Sequence, residues 1–134
     1  MNLLNDSRPI ATSDQFKKAL LAIRDWNGIS PGELQMLQSQ CRAPDCTISA
    51  SQIAEQLKLK DASYARLRYA KFARAVAERL DYVPPLRRAG SPCWWFTLSV
   101  GRDVDNGDDN DEGDEGDWIM RPELVAALRS MKWA

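Results

Sequence analysis

Residues 47–80 read TISASQIAEQLKLKDASYARLRYAKFARAVAERL, and this stretch decides the fold prediction. Ser49 followed by Gln52 has the pattern of a capping box, which predicts that a helix begins here. Ile53, Ala54 and Leu57 then recur at helical spacing and are expected to face a core. A short turn at 59–61 separates this helix from a longer helical stretch that runs to residue 80, either as one helix or as two helices nearly in line.

The longer stretch has two different faces. Five apolar residues fall within a narrow arc of the helical wheel and are predicted to be buried: Ala65, Tyr69, Phe72, Val76 and Leu80. Basic residues lie on the broadly opposite side, with Arg66 at the flank: Arg68, Lys71, Arg74 and Arg79. Leu67 is the apolar exception among them, and we expect it to mark a kink or a contact surface.

The flanking sequence supplies the remaining elements. Ser13 is the expected N-cap of a helix through SDQFKKALLAIRDW, and the capping box SPGE at 30–33 opens a second helix. The segments CWWFTLSV (93–100) and DWIM (117–120) are predicted strands of a hairpin. A short helix through 121–130 closes the chain, with Trp133 folding back onto the core.

The order helix, short turn, helix, hairpin predicts the fold class. We expect one domain over residues 1–134, of α+β class and mostly helical. It would be a winged helix-turn-helix-like domain with a C-terminal β-hairpin and a short terminal helix.

An acidic segment separates the two predicted strands. Residues 103–117 hold nine acids, three glycines and no base, so we expect a disordered hairpin loop that Arg102 and Trp118 close. A calcium loop is disfavoured, because Ile119 occupies the place of the bidentate glutamate. The whole chain has a net charge of −1. Without these nine acids, it contains 18 basic and 10 acidic residues. The remaining body therefore carries a net charge of +8.

Composition narrows the functional classes. The chain contains no histidine and only three cysteines, which argues against a zinc site, a disulfide framework and most acid–base catalysis. The stretch MNLLNDSRPI lacks the basic and long apolar regions of a signal peptide, and no apolar run in the sequence reaches membrane-spanning length. We therefore expect a cytoplasmic, non-catalytic protein that binds no cofactor or metal and does not associate with a membrane.

The basic face of the long helix is the leading candidate site. Clustered arginine and lysine side chains neutralise phosphate, and arginine also makes bidentate contacts to phosphate or guanine. The sequence predicts a DNA-associated module, or one that joins a nucleic-acid-handling complex. Its predicted nucleic-acid-binding residues are Ser63, Tyr64, Arg66, Arg68, Lys71, Arg74, Arg87 and Arg88.

Two alternatives to this prediction remain open. The first is a protein-binding inhibitor from a phage or mobile element, whose acidic loop would mimic nucleic acid and block a bacterial defence nuclease complex. Its contact residues would be Asp108, Asp109, Asp111, Glu112, Asp114 and Glu115. The second is an accessory subunit that forms a homodimer through the exposed Leu67 and tryptophans.

Four segments together resemble a known bacterial family. They are ISASQIAEQL (48–57), YARLRYAKFARAVAERLDY (64–82), SPCWWFTLS (91–99) and WIMRPELVAALRSMKW (118–133). In this order they resemble the winged-helix-like accessory domain found with predicted HNH-type restriction endonucleases. Because the chain has no His-Asn-His metal site, the resemblance implies a stand-alone DNA-associated module of bacterial defence and not a nuclease.

Overall fold

The computed structural model describes residues 8–26, 28–86, 90, 92–102 and 117–134. Its fold is α+β and mostly helical, as the sequence predicts. In chain order, the helices and strands of these residues are α1 (Ser13–Trp26), α2 (Pro31–Arg42), β1 (Thr47–Ser49), α3 (Ala50–Leu57), α4 (Ala62–Leu80), β2 (Ser99–Arg102), β3 (Asp117–Met120) and α5 (Pro122–Ser130).

Three helices begin on the side-chain caps that their sequences encode. Ser30 Oγ accepts a hydrogen bond from the Glu33 amide at 3.1 Å, and Glu33 Oε1 accepts one from the Ser30 amide at 3.0 Å. Ser49 and Gln52 form the same reciprocal pair at the start of α3, and Asp61 caps α4. Each cap stabilises its helix by about 1 kcal/mol, since it satisfies amides that have no partner within the helix.

The cap of α1 lies one residue before the predicted position. Thr12 Oγ1, and not Ser13, accepts from the Gln15 amide at 3.1 Å, and Gln15 Oε1 accepts from the Thr12 amide at 2.7 Å. Thr12 and Gln15 therefore form the capping box, because a capping box needs Glu or Gln three residues after the N-cap and Gln15 lies three residues after Thr12. The helix is followed by Gly28, which has a φ of +77° and donates its amide to the Ile23 carbonyl at 2.8 Å.

A four-residue connection joins α3 to α4. Lys58 ends α3 in the left-handed conformation with a φ of 58°, and the Leu59 amide donates to the Ala54 carbonyl at 2.8 Å. The following stretch forms one continuous helix over Ala62–Leu80, which decides between the two sequence alternatives. The predicted apolar arc of α4 is buried, except that Leu80 at its end is half-buried.

The sheet contains a strand that the sequence patterns do not predict. β1 pairs with β3 and β3 pairs with β2, so the strand order is β1-β3-β2 and both pairs are antiparallel. Ile48 in β1 is buried and lies opposite Trp118 in β3. Only three residues form this strand, which leads directly into the capping box of α3.

The predicted strand over 93–100 is wrong for most of its length. Trp94–Thr97 form a 3₁₀ helix, and β2 begins only at Ser99. Trp95 and Phe96 are both buried with their rings 6.2 Å apart in an edge-to-face contact. A strand directs successive side chains to opposite faces, whereas a helical turn allows these adjacent rings to enter one core.

The hairpin closes one residue further out than predicted. Gly101 lies opposite Trp118, and Arg102 lies opposite Asp117. Asp117 therefore belongs to β3, in agreement with the predicted strand over 117–120 and not with its assignment to the end of the acidic loop. The rest of the predicted loop, residues 103–116, lies outside the described residues.

A buried polar cluster joins α2, α4 and the sheet. The Tyr69 hydroxyl lies 2.6 Å from both Gln40 Oε1 and Ser99 Oγ. Gln40 Nε2 donates to Ser99 Oγ and to the Trp118 carbonyl, each at 3.0 Å. The Tyr69 ring also stacks on the Trp118 ring at a centroid distance of 4.1 Å. We define Gln40, Tyr69 and Ser99 as the polar cluster, and it fixes how α4 lies against the hairpin.

A buried arginine connects α5 to the N-terminal segment. Arg121 donates from Nε and Nη2 to the Phe96 carbonyl at 3.0 and 2.8 Å, and from Nη1 to the Arg8 carbonyl at 3.1 Å. Its guanidinium carbon lies 4.5 Å from the centroid of the Phe96 ring. Beyond α5, Trp133 packs against the core as predicted, and its carbonyl accepts from Gln38 Nε2 at 2.8 Å.

Candidate nucleic-acid interface

The sequence of α4 determines which of its faces reaches solvent. Its buried face packs against α1, α3 and the 3₁₀ helix at Trp94–Thr97. The opposite face is exposed. The exposed residues of its first four turns are Ser63, Tyr64, Leu67, Lys71 and Arg74. The tertiary packing of α4 therefore leaves the predicted site residues at 63, 64, 71 and 74 on one accessible surface.

Charge is distributed unevenly along this helix. Residues 62–74 contain four bases and no acid, and the only acid of α4 is Glu78 near its C-terminal end. Lys71 and Arg74 are exposed, whereas Arg66 and Arg68 are half-buried. Residues two positions apart in a helix are separated by about 200° around the helix axis. Arg66 and Arg68 therefore lie on opposite edges of the exposed face. We define the exposed surface of residues 62–74 between these two arginines as the cationic face.

Arg68 is held between two helices. Its guanidinium carbon lies 5.9 Å from the centroid of the Tyr64 ring, one turn earlier in α4. Its Nη2 lies so close to the first turn of α2 that a β-carbon added at Gly32 would be 3.0 Å away. The absence of a side chain at Gly32 thus gives room to Arg68. The sequence does not reveal this role, because the SPGE pattern marks Gly32 only as part of a helix start.

Arg66 forms the other edge of the cationic face. Its Nη2 donates to Ser63 Oγ at 3.2 Å, one turn earlier in the same helix. This contact joins two predicted site residues and directs the Arg66 side chain toward the N-terminal end of α4. Both edges of the face are therefore formed by arginines whose side chains contact a residue one turn before them.

Arg74 contacts two groups that partly fix its position. Its guanidinium carbon lies 5.2 Å from the centroid of the half-buried Trp94 ring, and its Nε lies 3.6 Å from Glu78 Oε2. Because this ion pair is exposed to water, it contributes little to stability. Lys71, by contrast, forms no ion pair with any residue that the structure describes. The sequence predicts Trp94 as a strand residue and therefore gives no sign of its contact with Arg74.

The remaining predicted contact residues have no described position. Arg87 and Arg88 lie outside the described residues, and so do all six acids assigned to the inhibitor alternative.

Comparison with known proteins yields no relative. No family model, curated protein or solved structure matches this chain. The resemblance to the accessory domain of HNH-type restriction systems therefore stays a prediction. The function is inferred from the geometry of α4 and of the elements that surround it.

The cysteines do not form a metal centre in the described residues. The three cysteines form no disulfide, with Cys41 and Cys93 buried and Cys46 half-buried. Burial, and then the neighbouring Cys41, raises the pKa of the Cys46 thiol. In the part of the chain that the structure describes, no three Cys, Asp or Glu side chains are grouped so as to hold a metal ion.

Two surface hollows lie away from the cationic face. One has a volume of about 540 Å³ and lies between the segment before α1 and the start of α5. Its apolar lining includes Pro9, Ala11, Pro122 and Ala126. The other, of about 380 Å³, lies beside β1. Neither is lined by a predicted nucleic-acid-binding residue.

Among the described helices, none is long and apolar enough to cross a bilayer.

Proposed function

We propose that this chain is a non-catalytic, winged-helix-like module that binds duplex DNA through the cationic face. The observation that carries the proposal is the surface itself: four bases and no acid over residues 62–74 of a helix whose other side is buried. A cluster of this kind neutralises phosphate and releases the counterions that surround DNA. The supporting helix is held by the core, so its bases are presented in a fixed arrangement.

The order of the elements supports the same proposal. α3 and α4 are joined by the short connection at 58–61, and the hairpin of β2 and β3 follows them. In helix-turn-helix modules the second helix enters the major groove and its N-terminal residues contact base edges. A helix with its side chains is about 10–12 Å across, and the major groove of B-DNA is about 12 Å wide. The corresponding helix here is α4.

The residues of the cationic face receive different roles in this proposal. Lys71 and Arg74, which are exposed, contact phosphate groups. Ser63 and Tyr64, near the N-terminal end of α4, face the base edges. Arg66 and Arg68 contact the DNA backbone on either side of the groove, and Arg87 and Arg88 stay predicted contacts to the flanking backbone.

The segment between β2 and β3 does not contribute a phosphate contact in this proposal. It carries eight acids and no base over residues 103–116, and phosphate would repel these charges. The helix, and not the tip of the hairpin, therefore makes the main contact with DNA.

A salt series with a neutralised variant tests the proposal. Binding to a 20-base-pair duplex is measured by fluorescence anisotropy between 50 and 300 mM salt, for the wild type and for Lys71→Gln/Arg74→Gln. We expect the slope of log K against log salt to become shallower by about two, one for each phosphate group that the variant no longer neutralises. The matched control is Lys18→Gln/Arg129→Gln, which removes two exposed bases from α1 and α5. The proposal is wrong if the wild type does not bind or if both variants behave alike.

The inhibitor alternative depends on a different surface and needs its own experiment. It is favoured by the concentration of acids in residues 103–117. Replacing residues 104–115 with a glycine–serine segment of equal length would abolish inhibition of a partner nuclease if these acids bind it. Retained inhibition would exclude the acidic segment as the contact surface.

A further inference from the structure

An apolar side chain lies at the centre of the cationic face. Leu67 is 65% exposed, although α4 has a well-packed buried side. Helical spacing places Ser63 and Tyr64 one turn before it, Lys71 one turn after it and Arg74 two turns after it. A single exposed leucine is ordinary on a protein surface. What distinguishes Leu67 is that polar and cationic residues border it along the helix.

Self-association through this face is disfavoured by charge and by area. A symmetric dimer through α4 would bring two copies of the cationic face, with eight bases in all, into one interface. Like charges at short range repel, and they are not compensated by acids within residues 62–74. Leu67 and the 42% exposed Tyr64 also offer little apolar surface for the centre of an interface that would have to bury roughly 1,200 Å² in total. The charges instead favour a polyanion as the partner.

The edges of DNA bases in the major groove offer one apolar group, the C5-methyl group of thymine. We propose that Leu67 contacts thymine methyl groups, and so gives the module a preference for thymine over uracil at the contacted positions. This inference rests on the proposed DNA binding by α4. Leu67 lies in the second turn of α4, which is the part that approaches base edges when the N-terminal end of such a helix enters the groove.

Replacing thymine with deoxyuridine isolates this contact. The substitution removes the methyl group and leaves the backbone charge and every hydrogen-bonding group of the base in place. A 20-base-pair duplex is first enriched from a random library with the wild-type protein. Its affinity is then compared with that of the same duplex in which every thymine is replaced by deoxyuridine. We expect the wild type to bind the uracil duplex about fourfold more weakly for each methyl group contacted, the factor that corresponds to burial of one such group.

Two variants show whether Leu67 is responsible. Leu67→Ala is expected to bind the thymine and uracil duplexes equally, with the salt slope of the wild type. The control Val83→Ala alters a 71% exposed apolar residue after α4 and is expected to keep the difference between the duplexes. Thermal unfolding of each variant checks that the fold is retained.

The outcomes separate this inference from the proposed function. Salt-dependent duplex binding without a thymine–uracil difference overturns the role of Leu67 and leaves DNA binding intact. A difference that persists in Leu67→Ala also overturns it, because another group then contacts the methyl. Failure of the wild type to bind any duplex overturns the proposed function, and the inference with it.

Discussion

The hydroxyl of Tyr69 in α4 donates a 2.6 Å hydrogen bond to Gln40 Oε1 in α2, within a fully buried site. Ser99 of β2 lies 2.6 Å from the same hydroxyl and 3.0 Å from Gln40 Nε2. The polar cluster thus forms a closed ring of hydrogen bonds. Because it joins three elements, the orientation of α4 depends on side chains that do not belong to its exposed face.

Tyr69→Phe is expected to destabilise the protein by about 1–3 kcal/mol, because it leaves buried hydrogen-bonding capacity on Gln40 and Ser99 unmatched. Chemical denaturation measures this loss as a lower midpoint. The control Tyr64→Phe removes an exposed hydroxyl and is expected to change the free energy of unfolding by no more than about 0.5 kcal/mol. Equal effects of the two substitutions would contradict the role assigned to the cluster.

Alkaline pH is expected to weaken the fold through the same side chain. Burial raises the pKa of Tyr69 above its ordinary value of 10, while its hydrogen bonds with Ser99 and Gln40 oppose the shift only in part. The folded state therefore holds the proton when the unfolded state has lost it. The stabilisation is complete below pH 10 and decreases as the pH rises above it, by up to about 1.4 kcal/mol per pH unit for one group.

Urea denaturation between pH 9 and 11.5 measures this dependence. Tyr69→Phe is expected to show a smaller decrease of the free energy of unfolding over this range, since it has no proton to lose at that position. An identical pH dependence of wild type and variant would exclude Tyr69 as the cause.

Gly32→Ala tests the room given to Arg68. Alanine favours the helix over glycine by about 1 kcal/mol, but its β-carbon would lie 3.0 Å from Arg68 Nη2, so the guanidinium must move. We expect the substitution to stabilise the protein more in an Arg68→Ala background than in the wild type. A double-mutant cycle measures the difference, and strict additivity of the two substitutions would show that the side chains at 32 and 68 do not interact.

Arg121→Lys keeps the charge but loses the planar fork that reaches the Phe96 and Arg8 carbonyls. We expect a loss of at least about 2 kcal/mol, since hydrogen bonds from charged donors contribute about 1.5–3 kcal/mol each. Thermal unfolding measures the effect. The exposed Arg129→Lys is the matched control, and a Tm for Arg121→Lys as high as that of this control would contradict the structural role of Arg121.

Duplex RNA is expected to bind much more weakly than duplex DNA of the same sequence. The major groove of A-form RNA is deep and narrow and does not admit a helix, so the cationic face could reach only the outer phosphates. Competition of the two duplexes for one labelled DNA at fixed salt measures this preference. Equal competition would indicate that α4 binds phosphate alone and does not enter a groove.

The local patterns predicted the helices well, because each helix is specified by residues close together in the chain. The capping boxes at Ser30 and Ser49 and the buried arc of α4 need only three- and four-residue spacings to be recognised. The buried and exposed faces of α4 were predictable for the same reason, since they follow from its own sequence.

The features that the sequence did not reveal depend on distant partners. β1 is a strand only because Thr47, Ile48 and Ser49 pair with β3, far along the chain. The aromatic segment 93–98 has high strand propensity, but its packing in the core favours a helical turn. No local sequence pattern marks Arg121 as buried, although it is 1% exposed and donates to two backbone carbonyls. The proximity of Arg68 to Gly32 and of Arg74 to Trp94 likewise requires the assembled structure.

The central position of β3 has a consequence for the order of folding. β3 is the strand that pairs with both others, yet more than half of the chain separates Thr47 from its partner Ile119. During synthesis, β1 and β2 leave the ribosome before the strand that joins them. Closure of such a long loop is slow relative to helix formation. We therefore expect the nascent chain to acquire helices α1–α4 early and its sheet in a late step, once residues 117–120 have emerged.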